Sequence, residues 1–343
     1  MGEGAEKVRR ILVLGDWDAD GVVSSSIVYY TQAFLGRYPI EDRSAVVDKM
    51  PMDPDRLRNL VAMVKAPYDL VVLLDVPYVS YTTSVLKMLK EHVGVQKIMY
   101  IDHHLSTVQH KAELEAVVDE ANVRYGEPTV GILLEELRSR GITLHARLAE
   151  FAEVVRLMDV GKRVPSERLK LFEFTKMFSK ALTIVRDDGL WGELVEWLAS
   201  PLPPDDSGSR SLVERLKEIV ERRDREVAEI ATNLAITAVK VGDLRFIDAR
   251  SAWRGRGVTA LTSKLFNMLR APVVVLTDTS KDYSLLVIKA NGGRAYRIAK
   301  FLLGEGLAQD IAGHPNLAIV RVAKDVDRNR LMELLHEAAF YTS

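Results

Sequence analysis

Three aspartates alternate at Asp16, Asp18 and Asp20 in ILVLGDWDADGVVSSS; Asp75 closes VVLLD; Asp102, His103 and His104 close KIMYIDHH; and Asp159 follows in VVRLMDVGK. The first three groups stand where apolar runs stop. Aspartate is common in turns, and a lone aspartate or a histidine pair can be structural. The recurrence of acids and imidazoles at the ends of successive apolar runs favours a ligating role. Such a set can hold two divalent cations about 3.5–4 Å apart beside a phosphate, with one carboxylate bridging and a water activated for attack. Oxygen and imidazole donors point to Mn2+, with Mg2+ as the alternative. The chemistry such a set would perform is metal-assisted phosphoester hydrolysis.

Those runs must be placed by a fold. A chain of 343 residues suggests about two domains. Residues 10–14 read as a short strand, ending in Gly15 and the acidic cluster, and residues 22–34 as a helix that starts on small side chains. Residues 45–47 suggest a second strand and 54–64 a helix. Residues 69–75 and 97–101 are continuous apolar runs typical of strands buried on both faces, separated by a helix over 81–91. Strands alternating with helices argue for α/β architecture with a doubly wound parallel sheet, in which ligands bind beyond the strands' carboxyl ends. The acidic clusters lie there. Thr129, after Pro128, reads as the N-cap of a further helix, and residues 145–158 as another, leading to Asp159.

The stretch SPLPPDDSGSRS, residues 200–211, reads as a linker, and residues 212–238 as a long charged amphipathic helix. An α/β pattern then restarts, with strands over 244–248, 272–277, 284–289 and 317–322 and helices over 259–269, 295–301 and 330–340. The expected domains are 1–199 and a smaller one over 239–343, joined by the linker and helix of 200–238.

Composition narrows the function. No run approaches the roughly 20 apolar residues of a membrane span, and the N-terminal MGEGAEKVRR lacks a signal-peptide core. With no cysteine there are neither disulfides nor thiolate sites, and a cytoplasmic protein is expected. A formal net charge of −1 excludes a strongly basic nucleic-acid binder. It favours short substrates over long tracts, because extended backbone binding calls for a positive groove.

GDWDADGVVSSS, the lone Asp75, IDHH and Asp159 resemble the four motifs of the DHH phosphoesterases, the first being similar to that of RecJ-type nucleases. YGEPTVGILLEEL resembles a further segment of that family. AGHPNLA, residues 312–318, is similar to the glycine-histidine signature of the associated DHHA1 substrate-binding domain. The resemblance covers nearly the whole chain, and in length the chain is nearer the nanoRNases and compact archaeal DHH exonucleases than a full RecJ. It implies that Asp18 holds a first metal, that Asp20, His103 and Asp159 hold a second, and that Asp75 bridges them. His104 would contact the scissile phosphate or act as general acid, with Asp102 orienting an imidazole. Gly313 and His314 would grip a terminal nucleotide, and Lys289 and Arg294 would add phosphate contacts. Two departures stand out. Leu14 occupies a place where many members carry histidine, which implies either Asp16 as a substitute ligand or a weakly bound first metal, and Ile311 and Ala312 replace usual glycines.

The expected activity is a Mn2+-dependent exonuclease on single-stranded DNA or RNA, or on short oligonucleotides, working in a cleft between the domains, with Trp17 and Trp253 as candidate stacking residues. The alternatives are a catalytically weak scaffold with a replication or repair protein as partner, and a phosphatase for 3′-phosphoadenosine 5′-phosphate, pyrophosphate or cyclic dinucleotides.

Overall fold

The computed structural model describes residues 8–202, 206–253, 257–279 and 282–342. The N-terminal MGEGAEK and residues 203–205 of the expected linker lie outside them. The chain divides into two compact units, Met1–Val220 and Glu221–Ser343.

In the first unit, β1 (Arg10–Gly15), β2 (Val46–Pro51), β3 (Leu70–Leu74), β4 (Lys97–Asp102) and β5 (Glu120–Val123) form a wholly parallel sheet in the order β2-β1-β3-β4-β5. Alternate residues of each strand feed two different cores. Ile11, Val13, Val72 and Leu74 face one layer of helices, and Leu12, Leu14, Val71 and Leu73 face the other. That is why these strands read as unbroken apolar runs. Strand order reverses between β1 and β3, which is where a sheet of this type opens a crevice for ligands.

The helix Ala19–Tyr29 is buried along almost its whole length, from Ala19 to Val28. Its three consecutive serines are small enough for this position and leave few polar atoms unserved. Ser25 and Ser26 donate to the carbonyls of Gly21 and Val22 at 2.7 and 2.8 Å, and Ser24 donates to Asp20 at 3.3 Å. Glycine permits the close approach of this helix to β1. A Cβ on Gly21 would lie 2.4 Å from the backbone nitrogen and 2.6 Å from the carbonyl oxygen of Asp16. Because backbone cannot swing aside as a side chain can, Gly21→Ala is expected to cost about 2 kcal/mol or more, measured by urea denaturation. An unchanged midpoint would show that the strand–helix turn is not tightly packed.

Some elements differ from expectation. Residues 54–64 form two short helices, Pro54–Leu57 and Leu60–Met63, because Asn59 leaves helical geometry at φ −102° and ψ 6°. Thr129 does not cap its helix. Pro128 holds the cap position and Thr129 is the first residue of Thr129–Ser139, its hydroxyl committed elsewhere.

In the second unit, β6 (Val239–Val241), β7 (Leu244–Asp248), β8 (Val273–Asp278), β9 (Tyr283–Lys289), β10 (Ala308–His314) and β11 (Leu317–Ala323) form a mixed sheet in the order β10-β11-β9-β8-β7-β6. Only β7 and β8 pair in parallel. The helix Val258–Leu269 packs on one face, against Val273 and Val275. Arg294–Gly304 and Arg328–Tyr341 pack on the other, against Val274 and Leu276. The long helix Asp206–Ile236 begins within the stretch expected as linker. Leu212 and Leu216 are buried in the first unit, and Val227, Ala231 and Leu234 in the second. Among the described residues no helix is long and apolar enough to cross a membrane.

Candidate metal centre

The carboxyl end of the parallel sheet gathers the acidic and imidazole side chains. Asp16 follows β1, and Asp18 caps the helix Ala19–Tyr29, accepting from the backbone N–H groups of Asp20 and Gly21 at 3.0 and 3.1 Å. Asp20, in that helix's first turn, is 2 % exposed. It accepts from the backbone N–H groups of Thr129 and Val130 at 2.7 and 2.8 Å. The open end of a second helix is thereby closed by a carboxylate, as its unpaired N–H groups and dipole favour. Asp75 follows β3 with φ +61°, a conformation aspartate tolerates better than most residues. It is 1 % exposed and accepts from the Thr129 hydroxyl at 3.1 Å.

His103 stands at the middle. Its Nε2 lies 3.3 Å from Asp75 Oδ1 and 3.7 Å from Asp20 Oδ2, and its Nδ1 lies 3.7 Å from Asp159 Oδ2. Asp159 is the last residue of the helix Ala146–Asp159. His104 is fixed by the fully buried Asp102, whose Oδ1 lies 2.8 Å from His104 Nδ1 and whose Oδ2 accepts from the His104 backbone N–H at 3.3 Å. Two three-residue groups offer donor atoms within 4.8 Å of one another: Asp75, His103 and His104, and Asp20, His103 and Asp159. Asp16 and Asp18 belong to neither. Leu14 is buried among Met52 and Leu57 and contributes nothing polar here.

The electrostatics are those of excess negative charge. Burial, then Asp18, raises the Asp16 carboxyl to about 7, against the pull of the Trp17 backbone N–H and Arg186. Burial and the neighbouring carboxylates push Asp20 and Asp75 well above the usual range. Burial also raises Asp159, opposed by His103. For His104, burial works downward, but the hydrogen bond and charge of Asp102 prevail and its imidazole is raised. Carboxylates this crowded and buried are costly unless a cation compensates them. Their all-oxygen-and-imidazole donor set fits a hard or borderline divalent ion.

Other side chains surround the centre that sequence reasoning missed. Asp53, 4 % exposed, accepts from Trp17 Nε1 at 3.1 Å and from the Arg56 backbone N–H at 2.8 Å, and is ion-paired with Arg186. Arg186 therefore holds a positive charge beside Asp16. Thr129 links the two carboxylates, its N–H to Asp20 and its hydroxyl to Asp75. Thr129→Val, which keeps shape and removes the hydroxyl, is expected to weaken divalent-cation affinity about tenfold or more, read by calorimetric titration. Unchanged affinity would mean that this bond does not position Asp75.

Of the second-unit candidates, the sheet register aligns two. His314 pairs with Leu317, and Leu317 with Lys289, across β10, β11 and β9. Gly313 sits at φ +107°, where a Cβ would lie 2.3 Å from the Leu317 carbonyl oxygen, so glycine is required. Arg294 is committed within its own unit, its guanidinium forming two bonds to Asp243 and a third to the Ala339 carbonyl. Trp17 and Trp253 are 1 % and 2 % exposed and belong to cores, so neither presents a face for stacking.

The structure is similar to solved DHH-domain structures. One is a DHH domain described as a member of a family of ribosomal proteins, with TM-score 0.61, 17% identity, and coverage of 97% of this chain and 86% of that one. RecJ of Thermus thermophilus in complex with Mn2+ gives TM-score 0.62 and 17% identity over 97% of this chain. The chain spans about half of that RecJ, 52%. The same RecJ has also been solved in complex with Mg2+. The pGpG-specific phosphodiesterase PggH of Vibrio cholerae gives TM-score 0.52 and 13% identity over 98% of this chain and 100% of that one. No family model and no curated protein matches the sequence. The fold is that of the DHH-domain proteins.

Proposed function

We propose that the protein is a metal-dependent phosphodiesterase, and in particular a Mn2+-dependent exonuclease acting on single-stranded DNA or RNA or on short oligonucleotides. The observation that carries this reading is the placement of His103 between Asp75, Asp20 and Asp159, with a second imidazole, His104, 3.9 Å from Asp75. Asp18 would hold one cation, with Asp16 beside it. Asp20, His103 and Asp159 would hold another, and Asp75 would be shared. Bound divalent cations supply an activated water and stabilise charge on the phosphate and leaving oxygen.

The remaining work falls to the chain's own residues. Asp102 holds His104 by Nδ1, which leaves Nε2 for the substrate, and its charge keeps the imidazole protonated to higher pH. His104 is thereby suited to donate a proton to the leaving oxygen or a hydrogen bond to the phosphate. Gly313, His314 and Lys289, the last two in register on either side of Leu317, are proposed to bind a nucleotide terminus. The net charge of −1 favours short substrates.

The test is incubation with Mn2+ and single-stranded DNA and RNA oligonucleotides, dinucleotides included, each labelled at one end or the other. Stepwise shortening is the expected outcome and reveals polarity and sugar preference together. Failure to cleave any length would refute the reading.

A further inference from the structure

The segment 124–129 is tied to the candidate centre at both ends. The Arg124 N–H donates to the carbonyl of Asp102 at 3.2 Å, and the Thr129 N–H donates to Asp20 at 2.7 Å. Most side chains between them are engaged. Arg124 pairs with Glu135, Glu127 bonds Arg156 at 2.5 Å, and Pro128 is buried. Tyr125 differs. It is 72 % exposed and makes no hydrogen bond or ring contact among the described residues. It is followed by Gly126 at φ +82°, with open space around it. Bond lengths and the Arg124 hydrogen bond hold its Cα within about 9 Å of the Asp102 carbonyl oxygen. Leu105, directly after His104, is 53 % exposed.

One exposed apolar side chain needs no explanation. Here an exposed aromatic side chain lies on the segment that leaves β5, and an exposed aliphatic one directly follows the imidazoles at the end of the neighbouring β4. The loop that carries Tyr125 is hydrogen-bonded at its two ends to Asp102 and Asp20. We propose that Tyr125, together with Leu105, forms a stacking platform for a nucleobase adjacent to the scissile phosphate. The substrate class is therefore a base-bearing nucleotide phosphodiester rather than pyrophosphate or a simple phosphate ester. Stacking uses the face common to all bases, so the platform recognises a base without choosing among them. The inference rests on the phosphodiesterase reading above and adds to it the feature that selects the substrate.

The test compares wild type, Tyr125→Ala and Tyr125→Phe on a dinucleotide and on two analogues, each with one nucleoside made abasic. Because Tyr125 is exposed, both variants should melt with wild type. Tyr125→Ala is expected to raise KM for the dinucleotide about 10- to 100-fold with kcat within about threefold. Tyr125→Phe should restore it. One abasic analogue should show the raised KM with wild type and gain no further penalty from Tyr125→Ala. Equal KM for wild type and Tyr125→Ala overturns the platform, as does the same loss on both analogues as on the intact dinucleotide. Fluorescence polarisation of a labelled dinucleotide separates the two ideas. Tyr125-dependent binding without cleavage would refute the phosphodiesterase reading and keep the platform. Cleavage with Tyr125-independent binding would do the reverse, and neither binding nor cleavage refutes both.

Discussion

Asp75→Asn is expected to lower Mn2+-dependent phosphodiester hydrolysis by at least about a thousandfold and, in the metal-free protein, to raise the melting temperature. The two effects share one cause. Asp75 is buried, faces Asp20, Asp18 and Asp102, and has a carboxyl raised well above its ordinary range by burial and by those neighbours. Asparagine keeps the size, tolerates φ +61° and can still accept from the Thr129 hydroxyl. It removes the charge that a shared cation requires, and loss of a direct ligand should exceed the 10- to 100-fold cost typical of supporting partners. It also removes a repulsive, desolvated carboxylate, which should raise the metal-free melting temperature at pH 8 by about 3 °C or more. Steady-state kinetics and thermal melts in chelator check both halves. Retained activity would exclude Asp75 from the centre, and a lower melting temperature would show that the charge is not a burden.

Without metal, stability is expected to fall as pH rises from about 5 to 8. In the folded chain Asp16 titrates at about 7, and Asp20, Asp75 and Asp159 are also raised. An unfolded aspartate titrates near 3.9. Below that value both states are protonated and these groups do not favour unfolding. Above it the unfolded chain releases protons that the folded one retains, so stability declines as pH climbs through the folded values. His104, also raised, acts in the same direction, because the stability it contributes is lost as pH rises through its folded value. Asp42, Asp119, Asp243 and Asp248 are lowered, and their opposite contribution is confined to more acidic solution. Mn2+ or Mg2+ should reverse the decline at pH 8. A free-ion concentration near 100 times Kd contributes about 2.7 kcal/mol, or roughly 4 °C in a chain of this size. Melting curves in chelator and in cation across this range decide the matter. A flat or rising metal-free profile would mean that the carboxylates are not crowded.

The parallel sheet was legible because its strands are buried on both faces, so β1, β3 and β4 appear as unbroken apolar runs ending in acids. Asp20, Asp75, His103 and His104 converge because topology brings strand ends together, which spacing along the chain can suggest, and Asp159 joins them from the end of a helix. The edge strands were harder. β5 reads EANV and β10 reads AQDIAGH, and neither has the apolar density or alternation that marks a buried strand. The contributions of Asp53, Arg186 and Thr129 were not legible at all. Asp53 and Arg186 are 133 positions apart, and Thr129 is 109 from Asp20. Only tertiary contact gives these residues a role. Trp17 looked available for stacking because it lies inside an acidic motif, but its indole N–H binds Asp53 and its ring is buried.

The helix Ala19–Tyr29 carries Asp20, follows Asp18, and is covered on almost every side. A helix so enclosed has no local opening by which its amides can reach solvent. Its backbone protons should exchange only when the first unit unfolds as a whole, with protection near the global limit. The exposed edge strand β10 should exchange far sooner. The carboxylates at the head of this helix would then be held in place through every lesser fluctuation of the unit that carries them.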